Sequence, residues 1–391
     1  MRLFSYTAMN ISLFDDAQVK GLYPLTLTRP AADLRIGISK ISEKWAAALK
    51  TEFVGYATLP YLETKFPRLE ADVSINGRLL PNEDLISAIG LLNDGEQLES
   101  DGVILAFKGE KMSTKAFTGS FDIINRPFDI FLKAGEFIKR DMESMDFDDR
   151  KSELHESVRV FGEYPVYIGK DTDVKACTLN ASEGPIYIGD NATIMEGSLI
   201  RGPFAMCEKA VVKMGAKIYK DTVLGPGSVV GGELSNVVMQ AHSNKGHDGF
   251  LGNAVLGEWC NIGADSNCSN LKNNYDGIKL WNYQSSKFDK SGQQFIGLIM
   301  GDHSKCGINT MFNTGTVVGV ACNIFGSGFP RNFIPDFSWG GAGGFVNHKF
   351  EAACKTAALV MPRRKKEFDA IEEAILKEVH AITSEWRNWE K

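Results

Sequence analysis

Apolar residues recur at every sixth position through the middle of this chain. Stepping from Ile188 reaches Ile194, Ile200, Met206, Val212, Ile218, Leu224 and Val230, an unbroken run of aliphatic side chains or methionine. A second register runs through Met300, Cys306, Phe312, Val318 and Ile324. Glycine often follows the apolar position, as at Gly189, Gly225, Gly231, Gly301, Gly307 and Gly319. A period of six fits neither the 3.6-residue helix nor the alternation of a half-buried strand. It fits a coil of three short flat strands, with one apolar side chain per hexapeptide aimed at the axis and small or permissive residues at the corners. Each coil buries its core only against the next, so several must stack. A β-sandwich would instead show a period of two and irregular turn spacing.

Residues 9 to about 155 follow another pattern. Asn10–Phe14, Glu52–Tyr56 and Gly102–Phe107 read as strands, and Ser39–Leu49 has helical apolar spacing. Strand alternating with helix predicts an α/β domain on a largely parallel sheet. The acidic stretch Asp141–Glu156 reads as a linker or a short helix leading to the first coil. Near the other end, Phe368, Ile371, Ile375, Val379 and Ile382 form a helical stripe. The basic run Pro362–Lys366 before it is either a solvated helix start or a phosphate-binding element, for example toward the nucleotide end of an acyl carrier. The expected division is an α/β domain over 1–155, a β-helix over 156–345 and a helical segment over 346–391.

Composition narrows the partners. The net charge of −6 argues against nucleic acid or an anionic membrane as partner. No window holds the ~18 apolar residues of a membrane span, and Met1–Ala8 lack a signal pattern. Seven cysteines without framework spacing or a CxxC pair suit a reducing compartment and make structural zinc unexpected. A cytoplasmic protein acting on small molecules is expected.

The six-residue register breaks between Val230 and Leu251, and Glu233, His242 and His247 lie in the break. Loops leaving a filled coil are where its function sits. Lys245-Gly-His247 is followed fourteen residues later by Asn261-Ile-Gly-Ala264, then by Asn274-Tyr-Asp-Gly277 and Met300-Gly-Asp-His-Ser-Lys-Cys-Gly307. In order and spacing this resembles the bifunctional bacterial family that acetylates glucosamine-1-phosphate and then uridylylates the product, closest to its divergent Bacteroidetes branch. The resemblance covers nearly the whole chain. It implies a left-handed β-helix, an exception to the right-handed crossover rule, acetyl-CoA as acyl donor, and a homotrimer. It further implies His247 as general base, with Glu233 orienting or polarising it. Asn261, Asn274 and Tyr275 would line the sugar-phosphate and acyl-donor site. The chemistry needs such a base, because the glucosamine amine is protonated near neutral pH and must lose a proton to attack a thioester. Two positions depart from the family: its lysine after the glutamate is Ser235, and its tyrosine after the histidine is Phe250. Lys245, Lys279 and Arg201 are the candidate replacement cations.

The N-terminal part carries a second resemblance. Leu22-Tyr-Pro-Leu-Thr-Leu-Thr-Arg29-Pro30 is similar to a stretch of sugar-nucleotide pyrophosphorylases, which implies nucleotidyl transfer with UTP and Mg²⁺. The family's glycine loop, which closes backbone amides on phosphates, is replaced by Asp15–Gly21, and its lysine by Ala31. The expected nucleotide-binding residues are Asp15, Arg29 and Arg35, with Asn76 and Arg78 at a strand end; a non-catalytic relic is the rival reading of this domain. Two rivals stand beside this reading. One is a γ-type carbonic anhydrase, for which His242 and His247 have ligand spacing but the third histidine is missing; the other is a non-catalytic regulatory β-helix subunit.

Overall fold

A computed structural model describes residues 9–390 apart from 53, 111–112 and 146–152. The chain packs as two compact units. The first comprises residues 9–22, 28–34 and 39–125. Its sheet has the strand order Val54–Ala57, Ile11–Phe14, Val73–Asn76, Val103–Phe107, Glu96–Ser100, Ser113–Ala116. Ile11–Phe14 is parallel to both neighbours, and among the described strands of this sheet Val103–Phe107 runs against the rest. The largely parallel α/β expectation is therefore met. Helix α1 (Ile41–Leu49) begins where Glu43 accepts the amide hydrogen of Lys40 at 2.7 Å. It buries Trp45 completely, and the indole N–H donates to the Leu79 carbonyl at 2.9 Å. Helix α2 (Glu83–Gly90) is capped by Asn82, which accepts from the Leu85 amide.

The second unit takes in residues 23–27, 35–38 and 126–391. It includes a long helix, α3 (Pro127–Ser144), whose last turn reaches into the acidic stretch expected to be a linker or short helix. Pro127 sits at its first position, and Asp129 accepts the Arg126 amide hydrogen. Phe128, Phe131, Ala134 and Ile138, at helical spacing, are all buried. A Cβ at Gly135 would lie 1.9 Å from a carboxylate oxygen of Asp221, so a larger residue there would require the Asp221 side chain to move. Asp141 belongs to the last turn of α3; residues 146–152 of the acidic stretch lie outside the described residues.

From Arg159 onward the chain winds into a left-handed parallel β-helix with three sheet faces. Every residue of the two six-step runs is buried in its core. On the third face, Val174, Ile194, Val212, Val230, Lys245, Ile262, Cys306 and Ile324 stand in one column on successive coils. Coils do not stop at Val230. The nine-residue strand Glu233–Ala241 bends across two faces and pairs in parallel with Phe250–Glu258. An excursion follows Cys268 and contains the antiparallel hairpin Lys279–Asn282 with Lys287–Lys290. Two helices close the chain: α4 (Phe350–Val360) and α5 (Ala370–Ile382), the second capped by Asp369, which accepts from the amides of Ile371 and Glu372. No described helix is long and apolar enough to cross a membrane.

Candidate functional site

In the first unit, polar groups gather at the carboxyl ends of the parallel strands Ile11–Phe14 and Val73–Asn76, the usual place for ligands in open α/β sheets. Asp15 accepts from the Ala31 amide at 3.0 Å and from the Thr58 hydroxyl at 2.6 Å. Burial pushes its carboxyl up to about 6, and neighbouring Asp16 adds to that rise. Asp16 is gripped by Arg78 through Nε at 3.0 Å and Nη2 at 2.5 Å, and by the Asn76 amide at 2.8 Å. Arg78 is fully buried and also donates to Asn125 and to the Ile124 carbonyl. Asn76 and Arg78 thus shape the cluster by holding Asp16, a residue absent from the expected set. Its only sequence signal is an acidic pair directly after a strand. Arg29 is buried, with an ion pair to Asp33 at 3.5 Å, and Asp33 is also reached by Lys40 at 2.6 Å. Arg35 does not join the cluster. It packs in the second unit, where its amide donates to Gln240 Oε1 at 2.7 Å and its guanidinium caps the Ile38 carbonyl. Arg35 is buried.

In the second unit, His247 is exposed at a corner of the β-helix. The Glu233 amide donates to the Gly249 carbonyl at 3.2 Å, so the glutamate lies one coil from the histidine loop. Directly beneath Glu233 in register stands Lys217, its ammonium 4.0 Å from the Glu233 carboxylate. This cation was not anticipated, although a step of one coil from Glu233 leads to it. Two of the other proposed cations, Lys245 and Arg201, are engaged elsewhere. Lys245 fills an inward position of the core column, and its ammonium binds the backbone carbonyls of His247 at 2.5 Å and Asp248 at 3.0 Å. Burial lowers its pKa to about 8. It is no surface phosphate ligand, because its side chain points into the coil. Arg201 pairs with Glu183 at 3.0 Å, a carboxylate it shares with Lys220. Lys279 stands on the hairpin, and Asn274 closes a turn on Asp276, leaving Tyr275 exposed. Among the described residues, no hydrogen bond joins these three to His247 or Glu233.

Asn261 lies on the third face and lines a cavity of about 420 Å³ with His242, Asn244, Trp259, Lys305, Arg363 and Arg364. Arg364, from the basic run, donates to the Gly227 carbonyl at 3.2 Å and to Asn244 at 3.0 Å. His242 stacks on Trp259 with ring centroids 4.4 Å apart. His242 and His247 therefore occupy different surroundings, one stacked at the cavity wall and the other exposed at a corner.

Residues 11–149 match the family model described as sugar nucleotidyl transferase. The chain is 26% identical over 241 residues to the bifunctional protein GlmU of Methanocaldococcus jannaschii, covering 62% of this chain and 52% of that one. It is 24% identical over 244 residues to the bifunctional sugar-1-phosphate nucleotidylyltransferase/acetyltransferase of Sulfurisphaera tokodaii, covering 61% and 53%. The chain thus spans about half the length of these curated relatives. Among solved structures, the Arabidopsis UDP-N-acetylglucosamine acyltransferase aligns at 14% identity over 60% of this chain and 94% of that one, with a TM-score of 0.25. Residues 11–149 are thus similar to sugar nucleotidyl transferases, and about three fifths of the chain is similar to the two bifunctional proteins.

Proposed function

We propose that the chain transfers acetyl from acetyl-CoA to the amine of glucosamine-1-phosphate and a uridylyl group from UTP to the resulting N-acetylglucosamine-1-phosphate. The observation that carries the reading is the exposed His247 corner, one coil above Glu233 and two above Lys217, in a chain whose residues 11–149 match a sugar nucleotidyl transferase model. His247 accepts the amine proton as the C–N bond forms; the C–S bond breaks and the coenzyme thiolate leaves, taking the proton back from the imidazolium. Lys217 supplies the charge for the sugar phosphate that Ser235 does not. Lys305, Arg363 and Arg364 give the Asn261 cavity three cations and its lining no carboxylate, a fit to the phosphates of the acyl donor. In the first unit, the adjacent carboxylates of Asp15 and Asp16 suit Mg²⁺, whose charge would offset the repulsion that holds Asp15 high. When bound, the ion neutralises triphosphate charge. The curated relatives are named as bifunctional, and we place this chain's work in the cytoplasm with small-molecule partners. Product analysis after incubation with acetyl-CoA, glucosamine-1-phosphate and either UTP or dTTP tests both halves. An acetylated sugar phosphate without a sugar nucleotide would leave the acetyltransferase alone, with the first unit a relic. A product-free mixture would favour a regulatory β-helix.

A further inference from the structure

The inward column of the third face contains one ionisable amine. On the coils around it, the equivalent positions hold Val174, Ile194, Val212, Val230, Ile262, Cys306 and Ile324. Position 245 is a lysine that is 1% exposed. An ammonium inside a hydrophobic stack is costly unless it is well bonded, and an aliphatic residue would fill the same space without that cost. The residue must therefore do something that valine or isoleucine could not. Its side chain runs inward and then turns out toward the corner, where Nζ donates to the carbonyl oxygens of His247 and Asp248. The corner needs such a tie. Gly246 stands on one side of His247 and Gly249 on the other, so the loop has little side-chain packing to fix it. Its neighbour Asp248 also supports the next coil by accepting the Asp265 amide at 3.1 Å.

We infer that Lys245 is a positioning residue: its buried ammonium clamps two successive carbonyls and thereby fixes the backbone that aims the His247 imidazole at substrate. This rests on His247 being the general base of the acetyl transfer. The clamp acts on the backbone alone, so it sets the orientation of the histidine without touching substrate. Substrate affinity should then depend on it little, while turnover depends on it strongly.

The test uses the full chain carrying Lys245→Met, which keeps the length and burial of the side chain but removes the donors. Hydrogen exchange is read on the segment spanning 246–252 and on the control segment 211–218. The expected result is exchange at least about tenfold faster at 246–252 with the control unchanged. In acetyl transfer, kcat should fall about tenfold or more with KM for both substrates within about twofold. If Lys245→Met loosens the control segment as well, the same measurements on Lys245→Gln, which keeps a shorter donor, should give the same pattern with smaller amplitude. Unchanged exchange at 246–252 overturns the clamp. So does unchanged kcat in Lys245→Met beside an inactive His247→Ala. If His247→Ala retains full turnover, the base assignment fails instead, and the exchange result still decides whether Lys245 fixes the corner.

Discussion

The phenol of Tyr283 donates its hydrogen bond to Asp336 Oδ2 at 3.0 Å, and both residues are buried in the second unit. Tyr283 comes from the excursion after Cys268, and Asp336 from the last coils of the β-helix. The same carboxylate accepts the Val320 amide hydrogen at 2.6 Å. One side chain therefore fastens the excursion to the coils that it leaves and rejoins.

That fastening depends on pH. Burial raises the Asp336 carboxyl to about 6 from an ordinary 3.8, against the opposing pull of the Val320 amide and the Tyr283 hydroxyl. A group held higher in the folded chain than in the unfolded one stabilises fully below the unfolded value. That contribution is lost as pH rises through the folded value. Asp336 should thus cost up to about 3 kcal/mol of stability between pH 4 and pH 7. Asp336→Asn cannot ionise. Its melting temperature relative to wild type should rise across that window, as measured by thermal unfolding at both ends. A parallel pH dependence in the two proteins would show that Asp336 does not titrate there.

Arg78 and Asp16 form the corresponding linchpin of the first unit. Removing one partner of a buried pair leaves the other uncompensated, at about 3–5 kcal/mol. Asp16 is partly exposed and can recover some hydration, so Arg78→Met should cost about 3 kcal/mol, at the low end of that range. Urea unfolding of the full chain, followed through Trp45 in this unit, would report it. A loss below about 1 kcal/mol would mean that Asp16 does not rely on Arg78.

The coil was legible because its inward positions are nearly all apolar, and a period of six has no competing reading. The break seen after Val230 was a misreading of a continuing coil. The sixth residue after Val230 is Asn236, while the core positions that follow are Leu234, Val237 and Met239. The long strand Glu233–Ala241 also changes the spacing by turning a corner without a break in pairing. Helix α3 carries its signal in the helical spacing of Phe128, Phe131 and Ile138, upstream of the acidic stretch. Site residues were less legible. A sequence displays cations but not their partners: Arg78 meets Asp16 across 62 residues, and Arg35 meets Gln240 across 205. Lys217 was in plain view, but only coil register places it under Glu233.

We propose that the chain forms a homotrimer, testable at the histidine corner. In coil register, the corner position that holds His247 carries Met214 two coils earlier and Ile308 two coils later, each 69% exposed. Apolar side chains presented beside a candidate base are explained if a neighbouring β-helix covers them. Wild type should sediment as a trimer at micromolar concentration. Met214→Glu with Ile308→Glu should sediment as a monomer and lose most acetyl transfer while keeping its melting temperature within a few degrees. A monomeric wild type would sink the proposal.

The sharpest division of roles concerns His247, Glu233 and His242. As general base, His247 should be worth roughly 10²–10⁴-fold in acetyl transfer, so His247→Ala should fall by that amount. Its KM values should change much less, since the base acts mainly as the amine attacks. His242 stacks on Trp259 at the cavity wall, so His242→Ala should weaken acetyl-CoA binding and leave kcat within about threefold. Glu233 has Lys217 at 4.0 Å, so Glu233→Gln should lower kcat by less than His247→Ala does. Raising the pH should not fully rescue His247→Ala, because a free amine still lacks a positioned acceptor for the second proton. Steady-state kinetics on the three variants separate these roles. If His247→Ala keeps more than about a tenth of wild-type turnover while Glu233→Gln is inactive, the glutamate is the base.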